Sequence, residues 1–319
     1  MKVGILTSGG DAPGMNACVR AVVRGCLSKG MEVFGIYQGY HGMIEDDIQQ
    51  MNIASVADII HRGGTILRTA RSHAFRTPEG RQKAYENLKK RGIEALVVIG
   101  GDGTLTGGLE FSKQTGMKVY GLPGTIDNDL GYTDTTIGFD TAVNTAVAAV
   151  GNIRDTSSSM GRTTVIEVMG RHCGDIALYA GLAGGAEDIL IPEQAYDIDK
   201  ICDEVKAGVA RGKLHSIIIK AEGVALSTQA LAEFLELKTG CETKTVLLGY
   251  IQRGGSPTAR DRVLASRMGV KAAELIEKGV ESSAIGIHGD DIIYLPIEEA
   301  LQMKKQSHTD FIEICNALL

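Results

Sequence analysis

Residues 3–14, Val3-Gly4-Ile5-Leu6-Thr7-Ser8-Gly9-Gly10-Asp11-Ala12-Pro13-Gly14, begin as an apolar run and end as a glycine loop. Residues 3–6 read as a buried strand. Beyond the loop, Met15, Val19, Val22, Val23, Cys26 and Leu27 recur at helical spacing. Strand, glycine loop, helix is the layout in which backbone N–H groups and a helix N-terminus hold phosphate. The loop is neither GxGxxG nor a P-loop ending in Gly-Lys-Ser/Thr, so neither named motif applies. The unit returns at residues 96–104, where an apolar run meets Gly100-Gly101-Asp102-Gly103-Thr104. Glycines on both sides of an aspartate let backbone close on polyphosphate while the carboxylate faces a metal. Magnesium, held by few carboxylates plus substrate phosphates, suits that supply of ligands. Alternation of strands and helices up to residue 122 predicts a mainly parallel α/β sheet with ligands at the strands' carboxyl ends.

The run at residues 119–122 leads into Pro123-Gly124-Thr125-Ile126-Asp127-Asn128-Asp129. Pro123 fixes the turn, and Gly124 can take backbone angles closed to other residues. The loop presents a hydroxyl and two carboxylates within five residues. Carboxylates that close need a cation, a metal or a proton between them. A phosphoryl-transfer site has that need: one acid takes a hydroxyl proton and another helps to hold magnesium. Taken alone, the loop also reads as a polar turn whose acids cap neighbouring amides.

Composition narrows the class. The chain has 319 residues, a length for which two lobes are the natural expectation, and 44% are hydrophobic. A formal net charge of −6 gives no general affinity for nucleic acid. Six scattered cysteines form no CxxC pair, which favours reduced thiols in a cytoplasmic protein. No signal sequence or membrane-length apolar run is evident. The 41 glycines are about twice the usual share of roughly 7%.

A helical stretch over about residues 140–155 leads to a second set of strands, at residues 164–168, 188–191, 216–220 and 246–252. Each again ends in chemistry: Met169-Gly170-Arg171, the approach from Glu187 to Pro192, Ala221-Glu222-Gly223, and Arg253-Gly254-Gly255-Ser256-Pro257. Arginine is the better side chain for bidentate phosphate contact. A carboxylate emerging from an apolar strand, as Glu222 does, suits sugar hydroxyls. Singly, such residues are more often surface salt-bridge partners; their repetition at strand ends is informative.

Six motifs together resemble the ATP-dependent 6-phosphofructokinases of bacteria: TSGGDAPGMN, GGDGT, PGTIDND, MGR-x-x-GD, AEGV and QRGGSPTA-x-DR. The resemblance runs from the first strand to at least Arg267. It implies two similar three-layer α/β domains with mainly parallel sheets. The first, residues 1–137 plus about 253–303, would hold ATP. The second, residues 138–252 plus about 304–319, would hold most of the sugar phosphate. The implied reaction is phosphorylation of fructose 6-phosphate at its 1-hydroxyl, with ATP as donor and Mg2+ as cofactor, under allosteric regulation.

Carried over, Gly10, Arg71, Ser72, Gly101, Asp102, Gly103 and Thr104 would bind ATP, with Asp102 at the metal. Asp127 would be the general base, with Thr125 and Asp129 beside it, and Arg171 would stabilise the transferring phosphoryl group. Met169, Gly170, Glu222 and Arg253 would contact the sugar phosphate. Arg162 would reach it from a neighbouring subunit, implying a homotetramer. Arg20, Arg24, Arg154, Gly185, Glu187, Arg211, Lys213 and His215 match an effector site for ADP or phosphoenolpyruvate.

Two glycines bear on the donor. Pyrophosphate-dependent relatives typically carry an aspartate where Gly103 stands and a lysine where Gly124 stands, so ATP is favoured here. Four positions depart from the bacterial pattern. Tyr250 replaces a usual histidine and Lys244 a usual arginine at the sugar phosphate. Lysine keeps the charge but loses the fork geometry. At the effector site, Ile53 replaces an arginine and Leu214 a lysine. The GGDGT segment also occurs in NAD and diacylglycerol kinases, but the PGTIDND, MGR and QRGGSP segments have no place there. A non-catalytic nucleotide or sugar-phosphate sensor would be expected to have lost Asp127 or Arg171, and both are present.

Overall fold

The computed structural model describes residues 1–318. The chain forms two compact units. The first comprises Met1–Ile126, Leu130–Thr141 and Arg253–Lys305; the second comprises Asp127–Asp129, Ala142–Gln252 and the chain from Gln306 onward.

The first unit contains β1 (Lys2–Thr7), β2 (Glu32–Ile36), β3 (Ile48–Met51), β4 (Ala95–Gly100) and β5 (Lys118–Pro123). The second contains β6 (Thr163–Val168), β7 (Asp188–Leu190), β8 (Ser216–Ala221) and β9 (Thr243–Leu247). The chain then returns to the first unit for β10 (Ser283–His288) and β11 (Asp291–Pro296).

The seven strands of the first unit lie in the order β11-β10-β5-β4-β1-β2-β3. The inner pairings are parallel, and β3 and β11 close the two edges antiparallel. The β4 sequence, Ala-Leu-Val-Val-Ile-Gly, is buried at every position, which requires a strand covered on both faces. Leu96 and Val98 join a core with Leu6, Ile36, Phe111 and Val119. The alternate residues Ile5, Val97 and Ile99 must point to the opposite face. Helices Met15–Ser28 and Ala259–Glu277 cross against each other, and a β-carbon at Gly269 would lie 2.6 Å from the Ala21 Cβ. Only glycine permits so close an approach.

The four strands of the second unit are all parallel, in the order β7-β8-β6-β9. Helix Thr228–Thr239 packs on β6 and β9, whereas Asp175–Gly184 packs on β7 and β8. The chain passes from the first unit to the second inside the helix Phe139–Met160.

The expected strand over residues 246–252 is corrected. β9 ends at Leu247, and Gly249–Arg253 forms a 3-10 helix. Gly249, at φ +53°, breaks the extension that the apolar run suggested. The polar residues before it are tolerated because β9 is a sheet edge. Among the described residues, no helix is long and apolar enough to cross a membrane.

Candidate active site

In the first unit three loops meet at the carboxyl ends of β1, β4 and β5. The Ser8 amide donates to the Ile99 carbonyl at 3.0 Å, and the Gly124 amide donates to the Gly100 carbonyl at 3.0 Å. Thr104 is buried, and its hydroxyl donates to the Ser8 carbonyl at 3.1 Å. The Thr104 hydroxyl therefore fastens one loop to the other. A β-carbon at Gly100 would lie 2.3 Å from Thr104 Oγ1 and 2.4 Å from the Ser8 carbonyl, so this junction admits no side chain. Thr136 Oγ1 donates to the Thr125 carbonyl at 2.6 Å and fixes the third loop.

Two helices start at these loops. Met15–Ser28 begins after Gly14, at φ +102°, with no side-chain cap. Asp102–Thr115 begins after Gly101, also without a side-chain cap. Both leave backbone N–H groups facing outward, where anions are favoured. Gly10, Asp102 and Gly103 are exposed here, as is Arg71 on the segment that follows β3. Ser72 Oγ, expected to bind nucleotide, accepts from the Phe75 amide at 3.3 Å. Asn16 was not singled out by the sequence, although it ends the first motif. Its amide donates to the Arg62 and Gly63 carbonyls at 3.1 Å, and its oxygen accepts from the Ile66 amide at 2.7 Å. The segment carrying Arg68 and Arg71 is thereby tied to the first helix. Arg253 also belongs to this unit, and its guanidinium lies on Gly10.

In the second unit the turn 127–129 is rigid. Asn128 has φ +54°, and its amide donates to Asp175 Oδ2 at 2.8 Å. Asp127 is 4% exposed. Asp129 Oδ2 lies 3.9 Å from Arg171 Nη1. Gly170 (φ +131°) and Arg171 (φ +55°) form a second strained turn after β6. Glu222 holds that turn: Oε1 accepts from the Arg171 amide at 2.8 Å, and the Glu222 amide donates to the Val168 carbonyl at 2.8 Å. Met169 donates its amide to the buried Gln252 side chain at 3.2 Å. Asp175 and Gln252, which position these groups, were legible only as parts of the MGR-x-x-GD and QRGGSP motifs.

Arg162 and Lys244 share one acceptor that the sequence did not reveal. Arg162 Nε donates to Glu242 Oε2 at 2.7 Å, and Lys244 Nζ lies 2.9 Å from Glu242 Oε1. Lys244 first, and then Arg162, hold the Glu242 carboxyl below its usual range. Tyr250 is 84% exposed on the turn after β9.

The residues assigned to an effector site fall in two places. Arg20 and Arg24 lie one turn apart on Met15–Ser28, in the first unit. The second unit gathers Arg154, Gly185, Glu187, Lys213 and His215. Lys213 Nζ lies 2.6 Å from Glu187 Oε1, and Glu187 Oε2 accepts from the Ile217 amide. Arg154 donates to the Gly184 and Gly185 carbonyls at 2.6 Å and lies 3.3 Å from His215 Nε2. Burial lowers the His215 pKa, and Arg154 and Lys213 push it the same way against Glu187. Arg211 is exposed beyond this cluster, as are the apolar Leu214 and, in the first unit, Ile53.

Among the described residues no cluster of three or more His, Cys, Asp or Glu could hold a metal alone. The exposed Asp102 carboxylate, in the first turn of its helix, suits a magnesium that takes its remaining ligands from phosphates and water.

The phosphofructokinase family model matches residues 2–276. The chain is 55% identical over 316 residues to the ATP-dependent 6-phosphofructokinase of Alkaliphilus metalliredigens, covering 99% of this chain and 98% of that protein. It is 54% identical, with the same coverage, to the protein of that name from Clostridium botulinum strain Loch Maree. A phosphofructokinase structure from Saccharomyces cerevisiae superposes with a TM-score of 0.90 at 38% identity. That match covers 99% of this chain and 47% of the yeast chain.

Proposed function

The chain belongs to the phosphofructokinase family, and on that premise we infer that it transfers the γ-phosphoryl group of ATP to the 1-hydroxyl of fructose 6-phosphate. Relatives matched over their whole length carry that activity in their names. The observation that carries the assignment of roles is the rigid turn 127–129. It presents a nearly buried carboxylate, Asp127, next to an aspartate facing Arg171.

Asp127 takes the proton of the sugar hydroxyl as its oxygen bonds to the γ-phosphorus and the bond to the ADP oxygen breaks. A carboxylate fixed by its turn needs no reorganisation to do so. Arg171 offsets the charge that develops on the transferring group, and Asp129 orients Arg171. Thr125, whose carbonyl is tied to Thr136, lines the loop. Gly10, Arg71, Ser72, Gly101, Asp102, Gly103 and Thr104 form the ATP site. Magnesium held at Asp102 would neutralise phosphate charge. Met169, Gly170, Glu222 and Arg253 bind the sugar phosphate. Arg162, Lys244 and Tyr250 would complete it in a homotetramer. We assign Arg20, Arg24, Arg154, Gly185, Glu187, Arg211, Lys213 and His215 to an effector site for ADP or phosphoenolpyruvate, and the protein to the cytoplasm.

The test is turnover with ATP and fructose 6-phosphate, for wild type and Asp127→Ser. The substitution should lower kcat by about 10²–10⁴-fold, the usual contribution of a general base, with ATP binding little changed. A variant retaining more than about a tenth of wild-type kcat would remove Asp127 from this role.

A further inference from the structure

The β8 sequence Ser-Ile-Ile-Ile-Lys-Ala is buried at all six positions. In a central parallel strand every position should be apolar, yet the fifth is Lys220, whose side chain is 2% exposed. A buried ammonium is tolerated only when it is paired and hydrogen-bonded. Lys220 meets that condition. Its Nζ donates to Glu167 Oε2 at 3.0 Å and to the Ala221 carbonyl at 3.3 Å. Glu167 is its register partner on β6, and the Thr228 hydroxyl donates to the same carboxylate oxygen. One cluster thus ties β8 to β6 and to helix Thr228–Thr239.

The cluster sits at the carboxyl ends of these strands, on the wall of a cavity of about 400 Å³ lined also by Glu222, Ser227 and Thr245. Glu222 is two residues beyond Lys220 and holds the Arg171 amide at 2.8 Å. A β-carbon at Gly223 would stand 2.1 Å from the Arg171 carbonyl, so the exit of β8 and the strained turn at 170–171 interlock at backbone distance. The ammonium bonds the carbonyl of Ala221, the residue immediately before Glu222.

We propose that Lys220 is a positioning residue for the sugar-phosphate site: through Glu167, Thr228 and the Ala221 carbonyl it fixes the exit of β8, and with it Glu222 and the Arg171 turn. The inference rests on the reading of Glu222 and Arg171 as substrate-site residues. It accounts for a charge where packing asks for a methyl group. An apolar side chain would pack as well but could not hold the Ala221 carbonyl.

Lys220→Met alone leaves the partly buried Glu167 without its cation and lowers stability, so the informative variant is Lys220→Met/Glu167→Gln. It removes both charges and keeps a polar partner for Thr228. Melting temperature reports whether the fold is retained. Steady-state kinetics should show the KM for fructose 6-phosphate raised about tenfold and the KM for ATP within twofold of wild type. Added to Glu222→Gln, the same pair should raise the sugar KM no further, because the positioning acts through Glu222. A sugar KM unchanged in the pair, or one that multiplies independently with Glu222→Gln, overturns the proposal. A wild-type protein with no transfer from ATP to fructose 6-phosphate overturns instead the reading on which it rests.

Discussion

The Arg253 guanidinium lies on the backbone of Gly10: a β-carbon at that glycine would stand 2.0 Å from Nη1 and 3.1 Å from Cζ. One residue comes from the loop assigned to nucleotide phosphate and the other from the set assigned to sugar phosphate. Gly10→Ala must therefore displace Arg253, whatever it does to the loop itself. Its kcat/KM for fructose 6-phosphate should fall by at least tenfold, comparable to the fall in Arg253→Ala. The double variant should be no worse than the weaker single one. Independent, multiplying losses would show that Gly10 acts without Arg253.

The two glycines proposed to bear on donor choice, Gly103 and Gly124, occupy different surroundings. Nothing lies within 4 Å of a β-carbon built at Gly103, whereas one at Gly124 would meet Ile99 Cγ2 at 2.8 Å and Met15 Cε at 3.2 Å. Gly103→Asp should keep the wild-type melting temperature while lowering kcat/KM for ATP by at least a hundredfold, because its carboxylate would repel nucleotide phosphates. Gly124→Lys should instead lower the melting temperature by overpacking. Efficient use of pyrophosphate by the wild type would defeat the argument from both positions.

Asp188 supplies a pH dependence. Burial pushes its carboxyl from 3.8 up to about 6, against the Ile189 amide; Glu204 adds to the rise and Lys200 opposes it. Cys315 from the helix Asp310–Ala317 also feels the Asp188 charge. Below about pH 4 the folded and unfolded chains both hold the proton, and the shift costs nothing. As pH rises from about 4 to 6 the unfolded chain releases a proton that the folded chain keeps, so stability falls. Above pH 6 the cost levels off on the order of 3 kcal/mol. Asp188→Asn should thus melt on the order of 5 °C higher than wild type at pH 8 and equally at pH 4. An increment independent of pH would exclude the carboxyl as its source.

Among the positions proposed for an effector site, Ile53 and Leu214 are apolar where the resemblance to bacterial phosphofructokinases implies cations. Ile53 and Leu214 are 60% and 69% exposed, so cations could be accommodated at both positions without disturbing the core. An effector shifts an equilibrium only by its difference in affinity between two states. Ile53→Arg/Leu214→Lys should strengthen the response to phosphoenolpyruvate, read as the rightward shift of the fructose 6-phosphate saturation curve. Strong inhibition of the wild type that the double variant leaves unchanged would show that these positions do not limit regulation.

What the sequence reveals of the fold follows from where its signals are local. A buried parallel strand running into a glycine loop, as at β1 and β4, announces both its extent and its ligand end. The edge strands do not. β3 is exposed at its two central positions, and β9 is polar at its start. The apolar run that begins with its last residues, Val246-Leu247-Leu248, is therefore the stronger signal and sets the strand too far along the chain. At the site, residue types and spacing single out Asp127, Arg171 and Glu222. They do not show that Glu222 grips the Arg171 amide, that Glu242 collects two cations, or that Lys220 lies inside a sheet. Apart from the local Glu242–Lys244 contact, these are pairings between segments far apart in the chain, and no single-residue pattern encodes them.

The strand order of the larger sheet also sets a timetable for synthesis. β5 pairs with β10 in register Ser283↔Tyr120, yet the whole of β6–β9 is translated between them. At roughly 5–20 residues per second, the outer edge of β5 waits on the order of ten seconds for its partner. During that interval a buried apolar strand, Lys-Val-Tyr-Gly-Leu-Pro, is an open edge on the nascent chain. A ribosome that stalls before residue 283 leaves this edge available to other chains or to a chaperone. The unit whose strands are made first cannot complete its sheet until all the strands of the second unit have been made.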